Sequence, residues 1–376
     1  MKKVKLDNYV DILSGFAFKS SQFNDNKRGL PIVRIRNVKP AFSETYYDGE
    51  FNEKFLLNNG DILIGMDGEF NCEKWQGGKA LLNQRVCRIK SISDFLDDQY
   101  LFYYLSPVLK IIEGKSNFVT VKHLSVKQIQ EIKIPLPPIA SQRRIANILD
   151  KADEIIRKRK EAIALTEQLQ KSIFLDMFGD PVTNPKGWEI RKLGNICTIV
   201  RGGSPRPIND YLGGTIPWIK IGDATEGDDI YIHKTAEMIK EEGIKKSRYL
   251  EPNTLIFANC GVSLGFARIL KIGGCIHDGW LAFSHLNSCI NQIFLLKSLN
   301  QITQYFRSIA PDGTQPNLNT TIMKNFNIPV PPIDSQEKFE NIIEQILKKK
   351  IKLKESLEES ENLFNSLLQR AFKGEL

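Results

Sequence analysis

Two stretches of this chain carry a seven-residue period of apolar positions, and both are led into in the same way. The first reads I-P-L-P-P-I-A-S-Q from Ile134 and continues for nearly forty amphipathic residues; the second reads I-P-V-P-P-I-D-S-Q from Ile328, a constant shift of 194 residues. The prolines Pro135, Pro137 and Pro138, like Pro329, Pro331 and Pro332, fix φ and hold the residues before them extended, so a helix can begin only after them. Ser141 and the Asp334-Ser335 pair are the expected N-caps, with Asp334 and Glu337 at capping-box spacing. The first stripe runs through Ile145, Ile148, Ala152, Ile155, Ala162, Leu169 and Ile173, interrupted by Arg159 and Thr166. The second runs through Phe339, Ile342, Ile346, Leu353, Leu363 and Leu367, interrupted by Lys349, Ser356 and Ser360. Each stripe needs a partner to bury it, and the other helix of the same chain has the matching period at high effective concentration. The pattern therefore predicts an intramolecular coiled coil. Because the first helix leads from one globular region to the next and the second starts from that next region, the pair must run antiparallel, about an approximate two-fold axis.

Shorter patterns fill the regions between. Residues 4–18 pass from strand-like alternation to a glycine turn, and residues 30–38, L-P-I-V-R-I-R-N-V, read as a strand with Arg34 and Arg36 on one face and Ile32, Val33 and Ile35 against the core. Asn59-Gly60 turns into a short buried strand at 61–64, followed by a loop at 65–78 that holds Asp67, Glu69, Phe70, Asn71, Lys74, Trp75 and Gln76. A strand at 84–90 and an aromatic helix around 100–112 complete the region. The plan recurs at 190–203, at I-P-W-I-K-I-G-D (216–223) and at 254–257; Asn291-Gln292-Ile293 is set against Asn83-Gln84-Arg85, and Gln315-Pro316-Asn317-Leu318 against Val121-Lys122-His123-Leu124. The expected fold is α+β: α/β domains at 1–139 and 181–333, separated by long antiparallel helices at 140–180 and 334–376, in a pseudo-two-fold internal repeat.

Charge sharpens this picture. Of the formal net charge of +8, the two helices hold +1 and the globular regions +7, which points to a polyanionic partner there. The six cysteines form no C-x-x-C pair and the N-terminus lacks the apolar core of a signal peptide, so a reducing cytoplasm is expected. No uncharged apolar run approaches the roughly 20 residues that would cross a bilayer.

Catalytic patterns are wanting. Gly202-Gly203-Ser204-Pro205 and Gly213-Gly214 lack the lysine and hydroxyl of a phosphate loop, and the four histidines have no metal-ligand spacing. Asp278 beside His277 reads as a turn signal. Asn184-Pro185-Lys186-Gly187 matches an adenine-methyltransferase tetrapeptide only superficially, and no nuclease-type acidic cluster is present.

With the paired proline motifs I-P-L-P-P and I-P-V-P-P and the passage M-F-G-D-P-V-T-N-P-K-G-W at 177–188, the chain resembles the specificity subunit of type I restriction–modification systems over essentially its whole length. The resemblance implies two target-recognition domains that read a bipartite, gapped target in double-stranded DNA. It also implies spacer helices that dock two methylation subunits and, where present, restriction subunits, with no catalytic residue in this chain. S-adenosylmethionine would belong to the methylation subunit, and ATP and Mg to a restriction subunit. A stand-alone DNA-binding regulator is the alternative. The expected DNA contacts are Lys19, Arg34, Arg36, Asn71 and Lys74 in the first domain and Arg201, Arg206, Lys220, Arg248, Arg268 and Gln315 in the second. Half-sites about one turn apart, each of three or four base pairs, leave an expected gap of about six or seven base pairs.

Overall fold

The computed structural model describes residues 3–115, 122–225, 229–310 and 317–376. Two compact units divide the chain: residues 1–160 with 355–376, and residues 161–354.

In the first unit an antiparallel sheet runs in the order Val10–Ser14, Val86–Ser91, Ile62–Gly65, Cys72–Lys74. A second sheet runs Phe23–Asn24, Tyr46–Tyr47, Leu30–Val33, Ala80–Leu82, Leu56–Leu57, with Leu30–Val33 parallel to Ala80–Leu82. The strand Ile62–Gly65 is buried throughout: Leu63 packs into one core with Trp75 and Leu81, whereas Ile62 and Ile64 pack into another with Tyr100, Leu105 and Leu149. This alternation is the period of two at work on a strand covered on both faces.

The second unit repeats the arrangement. One sheet runs Thr198–Arg201, Trp280–Ser284, Leu255–Ala258, Ala267–Leu270, Tyr231–Ile232; another runs Glu237–Ile239, Leu212–Ile219, Gly274–Ile276, Tyr249–Leu250. Here Trp218 and Ile219 pair in parallel with Cys275 and Ile276, as Ile32 and Val33 do with Leu81 and Leu82. The plan expected at 216–223 and 254–257 is thus present.

The long helices span Ile139–Phe178 and Ile333–Lys373. They begin ahead of the expected caps. The carbonyl of Pro138 accepts from Ser141 and Gln142 N–H at 2.9 and 3.1 Å, and that of Pro332 from Ser335 and Gln336 N–H at 3.0 and 3.3 Å. Ser141 and Asp334 therefore lie inside the first turn, because the last proline already supplies an extended residue whose carbonyl can open the helix.

The residue that matters at each helix start is instead the glutamine. Gln142 Oε1 accepts from Asp97 N–H at 3.0 Å, and its Nε2 donates to Phe95 O and Pro137 O, both at 2.8 Å. Gln336 Oε1 accepts from Asn291 N–H at 2.8 Å, and its Nε2 donates to Cys289 O at 3.0 Å and Pro331 O at 2.7 Å. Every partner is displaced by the same 194 residues, and both glutamines are fully buried. The joint also corrects one alignment, because Asn291 matches Asp97 and not Asn83. Asp97 Oδ1 accepts from Gln99 and Tyr100 N–H, and Asn291 Oδ1 from Ile293 and Phe294 N–H, each cap opening the helix that packs beside the sheet. The shared letters N-Q draw the sequence match off register.

Within each unit the two long helices run antiparallel. In the first, Ala146 and Leu149 share a core with Phe364, Leu368 and Ala371, while Arg159 donates to Ser356 O and Ser360 Oγ. In the second, Phe174 and Phe178 meet Phe339, with ring centroids 5.6 and 5.3 Å apart, and Lys350 Nζ lies 2.9 Å from Glu167.

One of the two rows in the expected stripes is right and the other lies one residue early. Leu149, Ile156 and Gln170 are buried where Ile148, Ile155 and Leu169 were expected, and Ile343 and Lys350 where Ile342 and Lys349 were. Ile155, Leu169 and Leu363 are exposed. Polar Gln170 and Lys350 in the true row make the neighbouring apolar row the more regular in sequence.

Candidate nucleic-acid interface

The first unit scatters its expected contacts. Arg34 and Arg36 do not lie on a strand face, because the strand ends at Val33 and both fall at the following 3-10 turn Ile35–Asn37. Asn37 Oδ1 ends the strand by accepting Arg34 N–H at 3.1 Å. Arg34 Nη2 then donates to Thr45 Oγ1 at 2.5 Å and the guanidinium lies over the Phe23 ring, so this side chain holds the domain together. Burial first, and then Arg36, lower its pKa. Arg36 is exposed and lines a cleft of about 610 Å³ with Lys27, Asn37 and Phe42. Lys19 is exposed ahead of the turn Ser20–Gln22.

The expected loop at 65–78 contains the strand Cys72–Lys74 and two buried aromatics, Phe70 and Trp75. Lys74 therefore points at the helix Asp98–Lys115, with Nζ 5.3 Å from the Phe102 ring centroid. Burial lowers its pKa, with Asp150, Asp98 and Asp97 acting against that shift. Asn71 is held from both sides, accepting from Lys110 Nζ and donating to Glu69, each at 3.2 Å. Both side chains are engaged within their own domain, because β-pairing of 72–74 turns the segment back onto it.

The second unit gathers its set. Arg248 Nε donates to Arg201 O at 2.7 Å, Arg201 Nε to Asp278 O at 2.8 Å, and Ser204 Oγ to Asp278 Oδ1 at 2.7 Å. Arg206, Lys220, Trp218 and His277 line one cavity of about 300 Å³, with Lys220 Nζ paired to Glu237. Lys220 N–H is capped by Asp223 Oδ2 at 2.7 Å, the same device that holds Arg34 to Asn37. His277 Nδ1 accepts from Gly279 N–H at 3.0 Å, and its ring meets Trp218 edge-on. Burial lowers the pKa of His277; Asp278 opposes this, and Arg206, Lys220 and Arg201 add to it. The imidazole is therefore biased towards neutrality inside a positive surface. Asp278 is pushed up by burial but held below the usual carboxylate range by Ser204, His277, Arg201 and Arg206.

Arg268 does not join this set. It lies on the strand Ala267–Leu270, stacks over Phe266 at 4.8 Å and donates to Ala267 O at 2.9 Å; burial lowers the pKa of Lys297, and Lys350 and then Arg268 add to that against Asp229. Gln315 lies outside the described residues.

Sequence reasoning missed His277 and Asp278, read as a turn, and a cluster in the first unit made of Asp67, Arg85 and His123. The signal that could have found them is the constant shift of 194, which sets His277-Asp278-Gly279 against Asn83-Gln84-Arg85. The backbone frame agrees: Met66 N–H donates to Arg85 O and Leu124 N–H to Met66 O, as Asn259 N–H does to Gly279 O and Leu318 N–H to Asn259 O. Isolated bridges join Asp67 to His123 and Cys260 to Asn317. Among the described residues no group of three His, Cys, Asp or Glu could hold a metal ion, and no helix is long and apolar enough to cross a membrane.

Known proteins share this duplicated frame. The family profile described as "Type I restriction modification DNA specificity domain" matches residues 1–165 and 185–360. The chain is 28% identical to the type I restriction enzyme EcoBI specificity subunit of Escherichia coli, covering 100% of this chain and 86% of that one. Its fold is similar to that of the type I restriction-modification S subunit from M. genitalium, with a TM-score of 0.56 and 17% identity over 99% of this chain and 96% of that one. It is also similar to a chain solved in work on complex assembly and conformational transition of the type I R-M system, with a TM-score of 0.61 and 17% identity over 100% of this chain and 98% of that one.

Proposed function

Because the chain belongs to the type I restriction–modification DNA specificity family, we propose that it is the subunit that reads DNA sequence for such a system, each domain reading one half of a bipartite, gapped target. The observation that carries this is the duplicated frame. The same backbone hydrogen bonds recur in both halves, yet the side chains set on them differ, which is what two independent readers require. Chemistry is assigned to partner subunits, with S-adenosylmethionine bound by methylation subunits and ATP with Mg by restriction subunits where these join.

In the second domain Arg201, Arg206, Lys220 and Arg248 around His277 form the proposed DNA surface; in the first, Lys19 and Arg36 do. The two joints built on Gln142 and Gln336 support a stoichiometry of two methylation subunits, one for each repeat. The exposed apolar side chains of Ile155, Leu169 and Leu363 on the long helices support docking of protein partners there.

The test is domain exchange. Replacing residues 1–139 by the matching domain of a relative and sequencing methylated bases should change one half of the motif and leave the other and the gap as they were. A change in both halves refutes independent reading. Sequence-specific binding and transcriptional control by the chain alone, with no methylation when partners are supplied, would favour the stand-alone regulator.

A further inference from the structure

The two domains differ most sharply where the frame brings three chain segments together. In the first domain Asp67 Oδ1 lies 2.6 Å from His123 Nδ1, and Asp67 Oδ2 lies 3.2 Å from Arg85 Nε. The carboxylate is largely covered, its side chain 17% exposed, whereas Arg85 and His123 are 66% and 65% exposed. A covered anion thus fixes two outward-facing groups. In the second domain the same positions are Cys260, Gly279 and Asn317, so neither the carboxylate nor the arginine is present.

Two features mark Arg85 as more than a solvated surface residue. Its backbone lies in the left-handed region, with φ at 67°, a conformation that costs energy for any side chain other than glycine and that clusters at functional positions. Its guanidinium is also held at Nε, the inner edge. Nε is the closest approach to the Asp67 carboxylate and the side chain is 66% exposed, so the rest of the guanidinium is open to a ligand. A fork of parallel N–H donors matches the O6 and N7 acceptors of guanine in the major groove, and adenine presents a donor where guanine presents O6. The neighbouring carboxylate repels a phosphate, so the base edge is the better partner than the backbone.

We propose that Arg85, oriented by Asp67, is the residue through which the first domain requires a guanine in its half of the target, with His123 as the second brace on that carboxylate. This rests on the DNA-reading function proposed above and goes on to name the base. Arg85 is the specificity determinant; Asp67 is a positioning residue, acting through it.

The experiment uses the full chain assembled with its methylation partners, with methylated bases sequenced across a genome. Arg85→Gly should let other bases stand at one position of the first half-site, raising methylation of those sites roughly tenfold to a hundredfold, the discrimination of one bidentate arginine–guanine pair. The second half should be unchanged. Arg85→Gly places glycine at a left-handed position, so its melting temperature should not fall, and relaxed specificity will not reflect misfolding. Asp67→Asn should relax the same position, and Arg85→Lys should retain the guanine only partly.

Arg85→Gly leaving the guanine requirement intact overturns the inference, as does a first half-site without guanine in the parent protein. Equal loss at every site would make Arg85 a phosphate contact, which also overturns it. If instead the parent complex methylates no defined bipartite sequence, the broader reading fails with it, and the two failures are told apart by the parent protein alone.

Discussion

Set side by side, the two domains share a backbone frame and divide on where they keep their charge. The second gathers Arg201, Arg206, Lys220 and Arg248 about His277 and Asp278. The first turns Arg34 onto Phe23 and Lys74 onto Phe102, while Lys19, Arg36 and Arg85 are exposed at or beside turns. The helix seam divides in the same way, since Ile156 of the first unit corresponds to Lys350 of the second, both buried. Lys350 Nζ lies 2.9 Å from Glu167 and 3.1 Å from Asp229, and Asp229 lies 3.1 Å from Lys297. A duplicated scaffold thus keeps its hydrogen-bonded joints and lets charge vary, because a buried carboxamide without its partners costs more than a surface cation moved elsewhere.

The largest effect should come from the shared joints. Gln142→Leu and Gln336→Leu each remove three buried hydrogen bonds and strand their partners, at a cost of about 3–5 kcal/mol. Urea unfolding followed by a probe in each unit should give nearly equal losses. A difference above about 2 kcal/mol would break the equivalence of the two joints.

Next comes the seam. Lys350→Met takes one of two cations from the half-buried Asp229 and should destabilise the second unit by about 2 kcal/mol. Ile156→Met, a volume-conserving change at the matching position, should cost less than about 1.5 kcal/mol. Equal losses would mean that the ion pairs add nothing that an apolar seam does not.

A smaller effect, confined to the second unit, is set by pH. Burial would raise the pKa of Asp229, but Lys297 and Lys350 outweigh it and bring the group from its ordinary 3.8 to about 2. A depressed carboxylate contributes stability that is fully present above its unfolded pKa and is lost as pH falls through the folded one. The second unit should therefore lose about 1–2 kcal/mol between roughly pH 4 and pH 2 through this group, and Asp229→Asn should abolish that segment of the pH profile. An unchanged profile in the variant would assign the acid sensitivity to other groups.

The smallest effect tests the phase of the helices. Ile155→Ser and Leu169→Ser lie on the exposed row and should shift the stability of the chain by no more than about 0.5 kcal/mol, whereas Leu149→Ala on the buried row should cost about 3 kcal/mol. Comparable losses would restore the phase read from the sequence.

Much of the fold was legible because it rests on repetition. The proline motifs, the helix lengths and the match of residues 216–223 to 30–37 stand, since each depends on backbone restriction or burial that side-chain type reports directly. The helix phase was not legible, because Gln170 and Lys350 are polar residues kept buried in a seam where periodicity looks for apolar ones. The site was legible as a charge type and only partly as a place. Lysine and arginine can be counted, but whether Lys74 faces DNA or Phe102 depends on a three-residue strand at 72–74 that glycines and polar neighbours disguise as loop. Arg85 escaped notice because a left-handed backbone angle leaves no mark in a string of letters.

The two glutamine joints have a consequence in time as well as in energy. Each buried Nε2 group is tied to one carbonyl at the start of its helix and one of the adjoining domain, so its protons can exchange with water only when that helix start parts from that domain. Hydrogen exchange at the side-chain amides of Gln142 and Gln336 would then act as two clocks built to one design, each timing the opening of its own half. Equal rates in the free chain that become unequal when DNA is bound would show which half tightens first on its target.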